Sequence, residues 1–217
     1  MNIHDAELTI IGGINTPARS MERVLDELID ADLATDGQAF SFREAMNNPD
    51  LIKRAAAGNT VVAHSAGLLA VTSEMRPAHV EAIAGPEPRS FGRLIVGAVK
   101  LSLNHARNSG LSEQGQRHLH LNAEKGLELA THTYGNLRHM KAIGSFSTFE
   151  ILREMAEAGQ SVGSVLMDAD EFFPIATIQP RYEEAAFSRT PVPYAIAEGG
   201  HDQFLTHPIE TSTNSSL

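Results

Sequence analysis

The feature that most constrains this chain is a repeated alternation of short apolar runs with amphipathic helical segments. Leu8-Thr9-Ile10-Ile11, Thr60-Val61-Val62-Ala63 and residues 80–84, 162–167 and 192–197 are each short and mostly apolar. Runs that are apolar on both faces read as strands buried on both sides. Between the first two, Met21, Val24, Leu25, Leu28 and Ile29 recur at three- and four-residue spacing, which predicts a helix reaching Asp30. Thr16 is expected to cap it, with Pro17 as its first residue. Residues 38–42 read as a further short strand. Asn48-Pro49 opens a second helix that stops at Gly58, and residues 68–74 give a third. The order strand, helix, strand, helix, strand, helix, strand implies a parallel sheet covered by helices on both faces.

From about Glu87 to Gly159 the strand signals vanish. Leu94, Ile95, Ala98, Val99 and Leu103 suit a helix over 91–107, and 123–140 can hold one or two more. Their apolar stripe is expected to pack inward rather than onto a membrane. Ser147-Thr148-Phe149-Glu150 has the form of a capping box, and Gly159 suits the end of that helix. The expected organisation is a core of residues 1–86 and 147–210 and a helical insertion of 87–146. Residues 201–207 would open a final short helix, and 211–217 a flexible tail.

At 217 residues the chain is one domain, or one domain with an insertion. It has no Cys, which excludes disulfides, thiolate metal sites and a Cys nucleophile. Its 17 Lys and Arg against 27 Asp and Glu give a net charge of −10, which argues against binding nucleic acid. No apolar stretch is long enough to span a bilayer. Residues 1–7 carry neither a basic n-region nor an apolar h-region, so a cytoplasmic protein without a membrane association is expected.

The sharpest chemical signal is Val61-Val62-Ala63-His64-Ser65-Ala66-Gly67. A strand runs into a Ser with small residues two positions to either side, the context of a nucleophile on a tight turn. A Ser hydroxyl needs a base, because it is barely ionised at neutral pH. Tyr194-Ala195-Ile196-Ala197-Glu198-Gly199-Gly200-His201 delivers a His just past the last strand. The His in turn needs a carboxylate to fix its tautomer. Asp168, Asp170 and Glu171 follow the preceding strand and are the candidates. Ser, acid and His thus occur in that order, each past the carboxyl end of an expected parallel strand, where open α/β sheets bind ligands.

With these motifs the chain resembles a small, capped α/β-hydrolase. Asp170-Glu171-Phe172-Phe173-Pro174 is similar to that family's D-x-x-x-P acid turn, which favours Asp170 over Asp168. Gly200-His201, with Pro208 seven residues on, resembles the family's His loop. Gly12-Gly13-Ile14 stands where the family carries His-Gly-x after its first core strand, so the resemblance implies that the N–H groups of Ile14 and Ala66 form the oxyanion hole. Gly12 for His and Ala63 for the first Gly of G-x-S-x-G are departures. The implied fold is an open, mostly parallel sheet of about six strands with helices on both faces, a helical cap inserted at 87–146 and no first hairpin.

The implied activity is hydrolysis of a small uncharged or apolar ester. Ser65 is the nucleophile, His201 the base and Asp170 its orienting acid, with Leu94, Val99 and Leu101 lining the acyl pocket. The partner is a small acyl substrate, and a homodimer is compatible with the sequence. No cofactor is required. Thioester hydrolysis, C–C cleavage, haloperoxidation and lyase chemistry use the same residues on this fold, and a non-catalytic receptor is the alternative outside enzymes. His118, His120, His132 and His139 lack metal-site spacing, so no metal is expected. Gly12-Gly13-Ile14-Asn15 lacks the remaining elements of a nucleotide cradle.

Overall fold

The computed structural model describes residues 7–186 and 188–214. Six strands form one sheet: β1 (Glu7–Ile11), β2 (Asp36–Phe40), β3 (Thr60–His64), β4 (His79–Ile83), β5 (Val162–Met167) and β6 (Tyr194–Ala197). Their spatial order is β2-β1-β3-β4-β5-β6, and every pairing is parallel. The expected α/β class with six parallel strands is therefore the observed one. In register, Ile10 of β1 faces Val62 of β3, and Val62 faces Glu81 of β4. The chain goes outward from β1 to β2, then returns past β1 to β3 and proceeds the other way. The connections diverge at the carboxyl ends of β1 and β3, which opens a crevice there.

The helices are α1 (Ala18–Asp30), α2 (Phe42–Asn47), α3 (Pro49–Ala56), α4 (Phe91–Asn108), α5 (Glu113–Thr131), α6 (Thr133–Ile143), α7 (Thr148–Glu157), α8 (Ile175–Ala185), α9 (Gln203–Thr206) and α10 (Pro208–Asn214). One face of the sheet buries Leu8, Ile10, Val62 and Val165 against Met21, Val24 and Leu28 of α1 and Phe204 and Leu205 of α9. The other buries Ile11, Val61, Ala63 and Val80 against Ile52 of α3, Leu152 and Met155 of α7, and Ile178 and Tyr182 of α8. Val61 and Ala63 point one way and Val62 the other, as the two-residue period of a strand requires. Among the described residues no helix is long and apolar enough to cross a membrane.

Several local expectations are corrected. Thr16 does not cap α1: Pro17 occupies that position, no side chain caps the helix, and the Thr16 hydroxyl is buried without a partner. The strand expected at 38–42 ends at Phe40, because Ser41 and Glu44 close a reciprocal capping box that starts α2 at Phe42. Residues 68–74 are not an α-helix. They belong to two 3₁₀ turns, Ser65–Ala70 and Ser73–Met75, separated by extended Val71 and Thr72, both β-branched. Helix α8 was not anticipated, because Pro180 lies inside it and Pro174 precedes it. The segment 192–197 becomes a strand only from Tyr194. Helix α10 takes in Thr211 to Asn214 of the expected tail, while 215–217 lie outside the described residues.

Helices α4 to α6 leave and rejoin the sheet at one place. The Arg89 N–H donates to the Gly144 carbonyl at 2.9 Å and the Thr148 N–H to the Pro86 carbonyl at 2.8 Å. Between these ties Glu87 is buried, accepting from the Ser147 hydroxyl at 2.7 Å, the Phe149 N–H at 2.9 Å and the Arg181 guanidinium at 2.8 Å. Burial pushes its carboxyl above the usual range in spite of these donors. Ser147 caps α7 by accepting the Glu150 N–H, but the Glu150 carboxylate turns to Arg153 and Arg181, so only half of the expected capping box forms. Of the apolar stripe on α4, Leu94, Gly97 and Leu101 face inward, whereas Val96, Val99 and Leu103 are exposed.

Candidate active site

The crevice at the ends of β1 and β3 holds Ser65. Strand β3 stops at His64, and Ser65, the first residue of the 3₁₀ turn, takes a left-handed backbone with φ 52°. Such a conformation is costly for a non-glycine residue and persists only where its surroundings impose it. Here they do. A Cβ on Gly67 would run into the Ile11 carbonyl, and a Cβ on Gly13 would stand 2.6 Å from the Ser65 Cβ. The two glycines therefore let the turn and the β1 loop close on the serine from both sides. Ala63, on the same turn, is fully buried.

His201 follows β6 and reaches the serine: its Nε2 lies 2.9 Å from Ser65 Oγ. Its Nδ1 lies 2.8 Å from Asp170 Oδ2. Asp170 is fixed in turn, because its Oδ1 accepts the N–H groups of Phe172 at 2.7 Å and Phe173 at 2.8 Å. Ser65, His201 and Asp170 thus form one hydrogen-bonded chain, with the acid and the imidazole both buried. The other two acids of that turn do different work. Asp168 accepts the Gly199 N–H at 2.8 Å, and Glu171 accepts the His201 N–H at 2.9 Å. Both hold the His loop against the acid turn. Burial disfavours the His201 imidazolium, but the Asp170 carboxylate beside it outweighs burial and raises the His201 pKa above its ordinary value.

The oxyanion candidates flank the serine. Ala66 lies in the first turn of the 3₁₀ segment, where N–H groups lack acceptors within the turn. Ile14 lies in the β1 loop that Gly13 brings against Ser65 and forms part of the wall of the same cavity. That cavity measures about 150 Å³. Apolar side chains from Leu94, Leu101, Leu129, Met140, Ile143 and Phe172 make most of its wall. Val99, expected there, is not, since the pitch of α4 turns it outward while Ala98 and Leu101 face in.

A second buried cluster adjoins the first, and only part of it was anticipated. Asp202 accepts from His105 Nε2 at 2.9 Å and pairs with the Lys125 ammonium. His64 Nε2 lies 3.0 Å from the His201 carbonyl and 3.8 Å from Asp202 Oδ1. Burial and the neighbouring His201 lower the His64 pKa to about 3, so its ring is neutral at ordinary pH. Burial opposes ionisation of Asp202 too, yet Lys125 and the surrounding histidines hold its carboxyl well below the usual range. His64, His201 and Asp202 offer metal-ligand atoms within 4.8 Å of one another. Both His201 nitrogens, however, already face Asp170 and Ser65, and a Lys already faces Asp202. Sequence alone marked His64 only by its place beside Ser65, and Asp202 carried no signal.

A chain of serine hydroxyl, imidazole and carboxylate is able to generate a nucleophile at neutral pH. No family model matches the sequence, and neither does any curated protein. Solved structures do. A carboxylesterase structure from the thaumarchaeon Nitrososphaera gargenis matches with a TM-score of 0.61 and 11% identity, over 96% of this chain and 88% of that one. An enol-lactonase from Burkholderia xenovorans LB400 matches with a TM-score of 0.61 and 9% identity, over 96% and 89%. An esterase from Rhodococcus sp. ECU1013 matches with a TM-score of 0.58 and 15% identity, over 98% and 90%. The chain therefore has the α/β-hydrolase fold. At these identities the likeness is one of fold.

Proposed function

We propose that this protein is a serine hydrolase acting on a small, uncharged ester through an acyl-enzyme. The observation that carries the reading is the Ser65–His201–Asp170 hydrogen-bonded chain at the wall of a largely apolar cavity. Ser65 Oγ attacks the acyl carbonyl while His201 Nε2 takes its proton. Asp170 holds Nδ1–H and stabilises the imidazolium that forms. The N–H groups of Ile14 and Ala66 receive the oxyanion. The imidazolium then protonates the leaving alkoxide. Water enters and attacks the acyl carbon while His201 takes its proton, and the imidazolium returns that proton to the departing Ser65 Oγ as the acid is released.

Helices α4 to α6 act as the cap of this site, and their inward residues Leu94, Leu101, Leu129 and Met140 hold the acyl chain. A cavity of about 150 Å³ favours a short acyl group. The largely apolar wall disfavours a highly charged one, because a charge loses its hydration there.

Covalent labelling with a fluorophosphonate, read by intact mass, tests the reading. Wild type is expected to gain one adduct, and Ser65→Ala none. A folded wild type that stays unlabelled would overturn it, and a non-catalytic binding protein on this fold would replace it.

A further inference from the structure

Beyond Ser65, His201 and Asp170, the buried cluster around Asp202 sits where three parts of the molecule meet. The Asp202 side chain is 1% exposed and follows His201 directly. Its Oδ2 takes His105 Nε2 from α4 and the Lys125 ammonium from α5. Its Oδ1 has no hydrogen-bond partner and lies 3.8 Å from Nε2 of His64, the residue that precedes Ser65. His64 closes the loop, as its Nε2–H donates to the His201 carbonyl. His105 continues outward through Nδ1 to His118 Nδ1 at 2.9 Å. His105 and Lys125 also line the cavity. A buried carboxylate demands such partners, and removing one leaves the others uncompensated.

We propose that Asp202 is a positioning residue of the site: its carboxylate ties α4 and α5 to the loops that carry Ser65 and His201, and sets the charge felt by the His201 imidazole. The proposal rests on the hydrolase reading for its meaning, though not for its measurement. Lys125 is the counterweight within the same unit.

Charged and titratable groups face His201 from every element packed against it. Asp170 and Glu171 face it from the loop after β5, His64 from the end of β3, Lys125 from α5, and Asp202 from its own loop. Of these, Asp202 and Lys125 act with opposite sign on the imidazolium and make no direct hydrogen bond to the ring. A negative neighbour favours the imidazolium and a positive one disfavours it. Replacing the carboxylate must therefore lower the His201 midpoint, and removing the ammonium must raise it. A purely mechanical tie predicts no such opposition.

The experiment is an NMR titration of His201 in three proteins: Ser65→Ala, Ser65→Ala with Asp202→Asn, and Ser65→Ala with Lys125→Met. The Asp202→Asn midpoint is expected to fall by roughly one pH unit and the Lys125→Met midpoint to rise by a comparable amount. Shifts in one common direction, or none, would overturn the proposal. If Asp202→Asn does not fold, an unmoved or lowered midpoint in Lys125→Met overturns it alone. The titration needs no turnover, so a wild type that resists fluorophosphonate would refute hydrolysis while leaving this result to be read by itself.

Discussion

Ser65 holds φ 52° although a glycine would hold it more easily. The strain belongs to the site, so relieving it should stabilise the fold and abolish the chemistry together. Ser65→Gly is expected to be more stable to urea than Ser65→Ala by about 1 kcal/mol, and both are expected to lose roughly 10⁴-fold or more in kcat/KM. Equal stability would show that the turn is not strained in solution. The pH profile belongs to this scale too. His201 must be neutral to accept the Ser65 proton, and its pKa is raised above the ordinary 6.5. The acid limb of kcat/KM is therefore expected above pH 6.5, with activity rising as pH increases through it. A limb below 6.5 would place a different group in control. Among the candidate acids, the D-x-x-x-P resemblance singled out Asp170. Asp168 and Glu171 stood equally near in sequence, and only the fold shows them bound to backbone N–H groups of the His loop.

At the scale of elements, β3 and β5 were legible because strands buried on both faces need continuous apolar runs. Helix α2 was missed although its capping box, Ser41 with Glu44, is present in the sequence, because Phe42 read equally well as the end of a strand. That box is the start of a helix whose Phe42 packs with Ala66 and Ile143. Ser41→Ala is expected to lower unfolding free energy by about 1 kcal/mol, measured by urea titration. No loss would mean that packing of Phe42 alone holds α2. Helix α7 rests on its apolar face rather than on its half-formed capping box. Leu152 is fully buried between α7 and the sheet. Leu152→Ala is expected to cost about 2–5 kcal/mol in the same assay. Spacing alone predicts that the apolar stripe on α4 packs inward. Spacing identifies a helix face but does not say how many neighbours that face will meet, and Val96, Val99 and Leu103 meet none that bury them.

For the molecule as a whole, the clearest expectation concerns acid. His64 is buried and its pKa falls from 6.5 to about 3 on folding. Between those values the unfolded chain binds the extra proton, so stability must decline as pH falls through that window. Asp202, with a lowered pKa, adds a loss at still lower pH, and His201, with a raised one, partly offsets the decline near its top. Wild type is expected to lose on the order of 2 kcal/mol between pH 6.5 and 5, and His64→Gln markedly less. Equal losses would show that His64 is not neutral in the native state. The sequence by itself determined the parallel α/β class, the order of Ser, acid and His, and the strand ends from which they project. Those are local properties: burial writes apolar runs, and a tight turn demands small residues at 63 and 67. Only the tertiary structure decided that Asp168 and Glu171 hold the His loop, which side of α4 faces the cavity, and that Asp202, His105, Lys125 and His64 share one cluster. These residues lie up to 138 positions apart, from His64 to Asp202. No local pattern links them, because their pairing exists only where β3, the His loop and α4 and α5 converge.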